Sequence, residues 1–115
     1  MPPPESGKLL WDALNALDAV QRFTSGKTFE DYLAEELLQS GVERQLAIVG
    51  EALSQLAHLN PEVAGRIPEL RRVVAFRNVL IHGYQAIDHE RVWTVVTRDA
   101  APLAAALRAT LEGAT

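Results

Sequence analysis

A helix that is apolar around more than half its circumference belongs inside a small protein, not on its surface. The stretch RRVVAFRNVLIHGY, Arg71 to Tyr84, reads as such a helix. At about 100° per residue, Leu70, Val73, Val74, Phe76, Val79, Leu80 and Ile81 spread over most of the helical wheel. The pattern requires other helices to surround this one. Two features interrupt it. Arg71, Asn78 and His82 align as a narrow polar seam, and Arg77 falls inside the apolar stripe. An arginine there needs a carboxylate, backbone carbonyls, a second subunit or a ligand anion, because an unpaired buried charge is prohibitively costly.

The remaining periodicity supplies the surrounding helices. After a polar, proline-rich start, predicted disordered over residues 1–5, Leu10, Ala13, Leu14, Leu17 and Val20 define a helix from about Ser6 to Thr24. Thr28 reads as an N-cap with an acidic first turn, Glu30 and Asp31, opening a short helix to about Gln39. Ser40-Gly41-Val42-Glu43 reads as a capping box that opens a long helix ending before Asn60-Pro61. Its core stripe is Val42, Leu46, Val49, Leu53 and Leu56, flanked by the small residues Ala47, Gly50, Ser54 and Ala57. A glycine inside a helix costs roughly 1 kcal/mol relative to alanine, and close approach of the central helix would compensate. Arg44, Glu51 and His58 fall in line opposite the core. They read either as a solvated face with weak ion pairs or, in the case of Glu51, as a brace for an arginine of the seam.

Pro68 suits the first turn of the central helix and Gly83 its left-handed end. Asp88 caps a final helix to about residue 111, with core positions Val92, Val95, Val96, Leu103 and Leu107. Pro102 must kink that helix or split it, with Asp99 as a second N-cap. No strand pattern or repeat competes. The expected fold is all-α, an up-and-down bundle of four to five helices forming one domain over residues 6–113.

Composition narrows the function. Cysteine is absent, which removes disulfide frameworks and thiolate metal sites. No segment looks like a signal peptide or membrane span, so a cytoplasmic protein is expected. A net charge of −4 argues against bulk affinity for nucleic acid. The charge is uneven, however: Arg66, Arg71, Arg72 and Arg77 face only Glu69 between residues 66 and 77. Such a patch suits a confined phosphate contact, with Arg71 and Arg72 as further phosphate-binding candidates. His82 stands near a helix C-terminus, where exposed carbonyls favour imidazolium. An imidazole beside guanidinium groups is what metal-free RNA cleavage needs: one moves a proton, the others offset charge on phosphorus. Arg77 and His82 are five residues apart and so diverge by about 140°. Two copies meeting across a twofold axis would supply a complete set. From the residues alone, a structural histidine at a helix end, with Arg77 in an internal ion pair, remains an open alternative. His58 and His89 read as surface residues. Asp88-His89-Glu90 diverge on a helix, so neither a metal nor a cofactor is implied.

The segment Arg77-Asn78-Val79-Leu80-Ile81-His82-Gly83-Tyr84 resembles the signature of the HEPN superfamily: Arg, a polar residue, three more residues, then His. More narrowly it resembles the HepT-like toxins, whose motif adds a tyrosine two residues after the histidine. Arg44 followed by IVGEA at 48–52, Phe29-Glu30-Asp31-Tyr32-Leu33, and Ile87-Asp88 with Val92-Trp93 extend the resemblance over most of the chain. Leu70, where tryptophan is expected, and bulky Phe76 depart from the pattern and bear on packing. The resemblance implies the toxin of a type VII-like toxin–antitoxin pair. It would be a metal-independent endoribonuclease acting as a homodimer or larger assembly, with its site between two copies of the motif. It further implies that Arg77 stabilises phosphate, His82 transfers a proton and Asn78 orients His82. Tyr84 matches the tyrosine to which an MntA-type nucleotidyltransferase antitoxin adds AMP, with neutralisation by binding of that antitoxin, alone or in addition, as the alternative. A non-catalytic helical module that binds a nucleotidyltransferase and nucleotide is the second reading.

Overall fold

The computed structural model of the chain describes residues 4–82 and 87–113, the side chains of Val79, Ile81 and His82 excepted. Gly83 and Tyr84 therefore lie outside the described residues, as do the first three of the five predicted disordered. The first helix, α1 (Pro4–Thr24), turns Leu10, Leu14, Leu17 and Val20 inward and starts two residues before Ser6. α2 (Phe29–Ala34) opens on the expected cap, in which Asp31 N donates to Thr28 Oγ1 at 3.1 Å. In return Thr28 N donates to the Asp31 carboxylate at 2.9 Å. That backbone hydrogen bond holds the Asp31 carboxyl below its usual 3.8.

The next boundary differs from expectation. α2 stops at Ala34 rather than near Gln39, and α3 (Glu36–Leu59) begins almost at once. Ser40 to Glu43 thus lies inside α3 and caps nothing. The physical reason is Gln39, whose Nε2 donates to the Tyr32 and Leu33 carbonyls at 2.9 and 3.1 Å. It satisfies the end of α2 from outside that helix. The Lys27–Glu35 ion pair, at 3.1 Å, ties the same corner.

Asn60 ends α3 and caps α4 (Pro61–Ala64), its Oδ1 accepting from Val63 N at 3.2 Å. α5 (Leu70–His82) begins two residues after Pro68, which sits in the preceding turn instead of the first helical turn. Glu69 makes that turn in the left-handed region, at φ 65°, an uncommon conformation for a residue with a Cβ. α6 (His89–Thr94) is capped as expected, with Asp88 Oδ1 accepting from Glu90 N and Arg91 N at 3.1 and 3.3 Å. A π-helical segment, Val95–Asp99, then joins it to α7 (Ala100–Gly113) without a break. Asp99 is therefore not a second N-cap. The wide turn lies just ahead of Pro102, where it relieves the clash of the proline ring with the carbonyl four residues back.

α1 and α3 run antiparallel through the centre. At one end Asn60 Nδ2 donates to Ser6 Oγ at 3.2 Å, and at the other Phe23 covers Gly41. Between them Leu10, Leu14 and Leu17 share an apolar cluster with Val49, Leu53 and Leu56. α5 packs on α3 and α7 on α1. A second cluster joins Val20, Tyr32, Val42, Leu46, Phe76, Val92 and Val96. The described residues hold no strand, and none of their helices is long and apolar enough to cross a membrane. The fold is all-α, as the periodicity predicts.

Candidate functional site

Arg77 leaves α5 where that helix crosses α3, and it passes directly over Gly50. A Cβ on Gly50 would overlap Arg77 Cβ and stand 2.7 Å from its Cγ. The small residue expected to permit a close approach therefore makes room for one particular side chain. Arg77 then runs along α3, and its side chain remains 23% exposed. Nη2 forms an ion pair with Glu51, whose other oxygen accepts from Gln55 Nε2 at 3.0 Å. Nη1 donates to Asn78 Oδ1 at 3.2 Å. Nε is buried and has no partner among the described residues. Gln55, Glu51, Arg77 and Asn78 thus form a continuous polar chain. It fixes the guanidinium at the edge of an open cleft of about 790 Å³ between α1 and α3.

Arg22, Arg44, Asp12 and Gln45 line the same cleft. Sequence reasoning did not place Arg22 or Gln55 there. The available signals were helical spacing alone: Gln55 follows Glu51 by four residues, a face-sharing interval.

The other expected phosphate contacts are not gathered around Arg77. Arg71 and Arg72 line a separate cleft of about 600 Å³ with Leu70, Gly65 and Ala57. Arg72 is committed to two carboxylates, Glu69 at 3.1 Å and Asp99 on the π segment. Those contacts explain why it does not serve the cleft of Arg77: its charge is already offset on the opposite side of α5. Arg71 is exposed. The Asn78 carbonyl oxygen accepts from Arg77; its expected contact with His82 involves a side chain outside the described residues. His82 closes α5, five residues beyond Arg77 and so about 7.5 Å further along the axis. Tyr84 lies outside the described residues.

His58 is exposed, as expected. His89 is not a simple surface residue. Its ring stands edge-on to buried Tyr32 at 5.5 Å, and its Nδ1 is buried. Glu43 faces the same place; burial raises its carboxyl above 4.5 and the His89 imidazole opposes the shift. Burial also pushes the Tyr32 phenol well above its ordinary value. This cluster holds α2, α3 and α6 together.

Comparison with known proteins follows the same lines. Residues 13–110 match the family described as Ribonuclease HepT-like. The "Probable ribonuclease HepT" of Thermococcus cleftensis is 34% identical over 94 residues, which are 78% of this chain and 81% of that protein. A Methanocaldococcus jannaschii protein provisionally named an RNase is 29% identical over 98 residues, 84% of this chain and 78% of its own. A second from that organism, similarly named, is 29% identical over 92 residues, 78% of this chain and 82% of its own. No solved structure matches. The family match runs from the middle of α1 into α7 and includes both Glu51 and Arg77. The chain belongs to the HepT-like ribonuclease family.

Proposed function

We propose that this chain is the toxin of a toxin–antitoxin pair, a metal-independent endoribonuclease whose active site forms between two copies. The observation that carries the reading is the Arg77 guanidinium, oriented at a cleft by Glu51 and Asn78 in a chain of this family. In the reaction, the 2′-hydroxyl attacks phosphorus, the 5′-oxygen leaves, and the chain ends in a cyclic phosphate. His82 moves the proton to or from those oxygens. Arg77 offsets the charge that gathers on the phosphoryl oxygens. Asn78 holds Arg77 by one atom and lies four residues before His82, on the same face. Arg71, exposed on the preceding turns of α5, contacts a more distant phosphate.

Control falls to a nucleotidyltransferase antitoxin of the MntA type. AMP joined to the Tyr84 oxygen, with pyrophosphate leaving, would set bulk and negative charge two residues from His82 and repel RNA. The pair acts in the cytoplasm.

The test is cleavage of RNA by purified wild-type chain in the presence of EDTA. Cleavage is expected for wild type and is expected to fall at least a hundredfold, on the order of a general acid–base contribution, in His82→Ala with helicity unchanged. Arg77→Met should lose cleavage while keeping its fold. Equal background for wild type and His82→Ala would favour the second reading, a non-catalytic module that binds its nucleotidyltransferase. The carboxylate already occupying Arg77 and the net charge of −4 are the observations on that side.

A further inference from the structure

We infer that His89 is a second proton-transfer group of the cleavage site, an imidazole that protonates the departing 5′-oxygen while His82 takes the 2′-hydroxyl proton. Glu43 is its positioning residue. The inference rests on the ribonuclease reading above and assigns that reaction its proton donor.

Helix register brings His89 to the end of α5. Arg77 meets α3 at Gly50, and Leu70 and Arg71, two turns earlier on α5, share a cleft wall with Ala57. α5 therefore runs antiparallel to α3. Five more residues bring its last one, His82, to the level of Gln45 on α3, about 7.5 Å beyond the crossing at Gly50. Glu43 lies two residues further, about 3 Å. It shares with Gly50 the face turned to α5, since seven residues make two turns. Glu43 thus stands under the end of α5, and the His89 imidazole faces Glu43. Arg44 and Gln45, the next residues of α3, line the cleft of Arg77, so that cleft extends to the same level. An RNA lying in it passes the Arg77 guanidinium and then this end of α5.

The surroundings of His89 are costly for a purely structural corner. The Tyr32 hydroxyl and His89 Nδ1 are buried with no partner among the described residues. Burial also raises the Glu43 carboxyl. Apolar side chains of similar size would make that corner more stable, and polar groups held at such a cost collect where chemistry is done. What they achieve here is a fixed ring. Tyr32 backs the imidazole edge-on at 5.5 Å, and Trp93 packs on Tyr32 at 5.3 Å. His89 is also the first residue of α6, directly after the Asp88 cap. The residue is half-buried, which leaves part of the ring open to water.

The charges around it favour a donor. Tyr32 stays neutral, Asp88 is engaged with the backbone of Glu90 and Arg91, and Arg91 is turned to the Phe76 ring at 5.9 Å. Glu43 is the acid that faces the imidazole from α3. The imidazole draws the Glu43 carboxyl back down against its burial, an effect that only the imidazolium form exerts. Imidazolium is the form that gives a proton. In the step, the 2′-oxygen bonds to phosphorus as the bond from phosphorus to the 5′-oxygen breaks. His82 gains the 2′-hydroxyl proton and His89 loses one to the 5′-oxygen, so the protons balance.

A change of leaving group tests the assignment. The bond that wild type cuts in an RNA oligonucleotide with EDTA present is remade with sulfur in place of the bridging 5′-oxygen. A thiolate departs without being protonated, so a missing donor no longer matters. His89→Ala is expected to lose on the order of a hundredfold on RNA, with circular dichroism unchanged, and to cut the sulfur substrate nearly as fast as wild type. His82→Ala is expected to lose both. Glu43→Gln, which keeps the fold, should lose about tenfold on RNA and recover on sulfur. Equal losses of His89→Ala on both substrates would make His89 structural and overturn the inference. A wild-type rate on RNA for His89→Ala or for Glu43→Gln overturns it too, and in the first case gives the proton to His82 of a second copy. Wild type that leaves RNA intact sinks the ribonuclease reading itself, and this inference with it.

Discussion

Gly50 and Arg77 meet where α5 crosses α3, and that contact sets both the helix spacing and the path of the guanidinium. Any side chain at residue 50 must push against the arginine's first two carbons, which cannot move without moving α5. Gly50→Ala is therefore expected to destabilise the fold by about 1–3 kcal/mol through overpacking, despite alanine's better helix propensity. A thermal melt checks it, and a variant as stable as wild type would contradict the close crossing. The same substitution should lower cleavage more than its stability loss explains, since Arg77 would leave Glu51. Arg72 illustrates the opposite case. Its two carboxylate partners spend its charge on tying the start of α5 to the π segment.

At the level of elements, polar ends rather than apolar stripes decide where helices stop. α2 is only six residues long and could not persist alone. Its capping box and the Gln39 hydrogen bonds define it. Thr28→Ala removes the hydroxyl that accepts from Asp31 N while leaving the backbone N–H of residue 28 to donate to the Asp31 carboxylate; it is expected to cost about 1 kcal/mol, read as a lower midpoint in urea. The effect has a pH signature. Asp31 is held below 3.8 in the fold, so its contribution is present above that value and lost as pH falls through the lowered one. The acid limb of the stability curve should accordingly flatten in Asp31→Asn, which removes the titrating carboxylate. The π segment shows a helix absorbing a proline by widening rather than by ending.

Across the whole molecule, Glu43, His89 and Tyr32 bring α2, α3 and α6 to one partly buried point. Burial raises the Glu43 carboxyl above 4.5, so the folded state holds that proton more tightly than the unfolded chain does. Stability from this group falls as pH rises from 4.5 through the raised value. Glu43→Gln is expected to remove that decline and to melt higher than wild type at neutral pH. Melts at several pH values check the sign, and parallel profiles for the two proteins would contradict it. The cleft between α1 and α3 belongs to this scale too, because Arg22 and Arg44 line it together only once two distant helices lie antiparallel.

Local, periodic information was enough for the helices, the Thr28 and Asp88 caps, the end of α3 at Asn60 and the all-α class. Spacing along one helix also singled out Arg77 as a charge out of place, since an apolar stripe is legible residue by residue. The Ser40–Glu43 pattern misled, because Gln39 ended α2 through bonds to carbonyls six and seven residues back. Asp99 misled because a π turn and an arginine 27 residues away claimed it. Tertiary structure alone decided that Arg77 threads past Gly50 to Glu51, that Arg72 turns away to Asp99, and that His89 is drawn in against Tyr32. These contacts join residues far apart in sequence, and their energies depend on how two helices cross, which no single helix encodes.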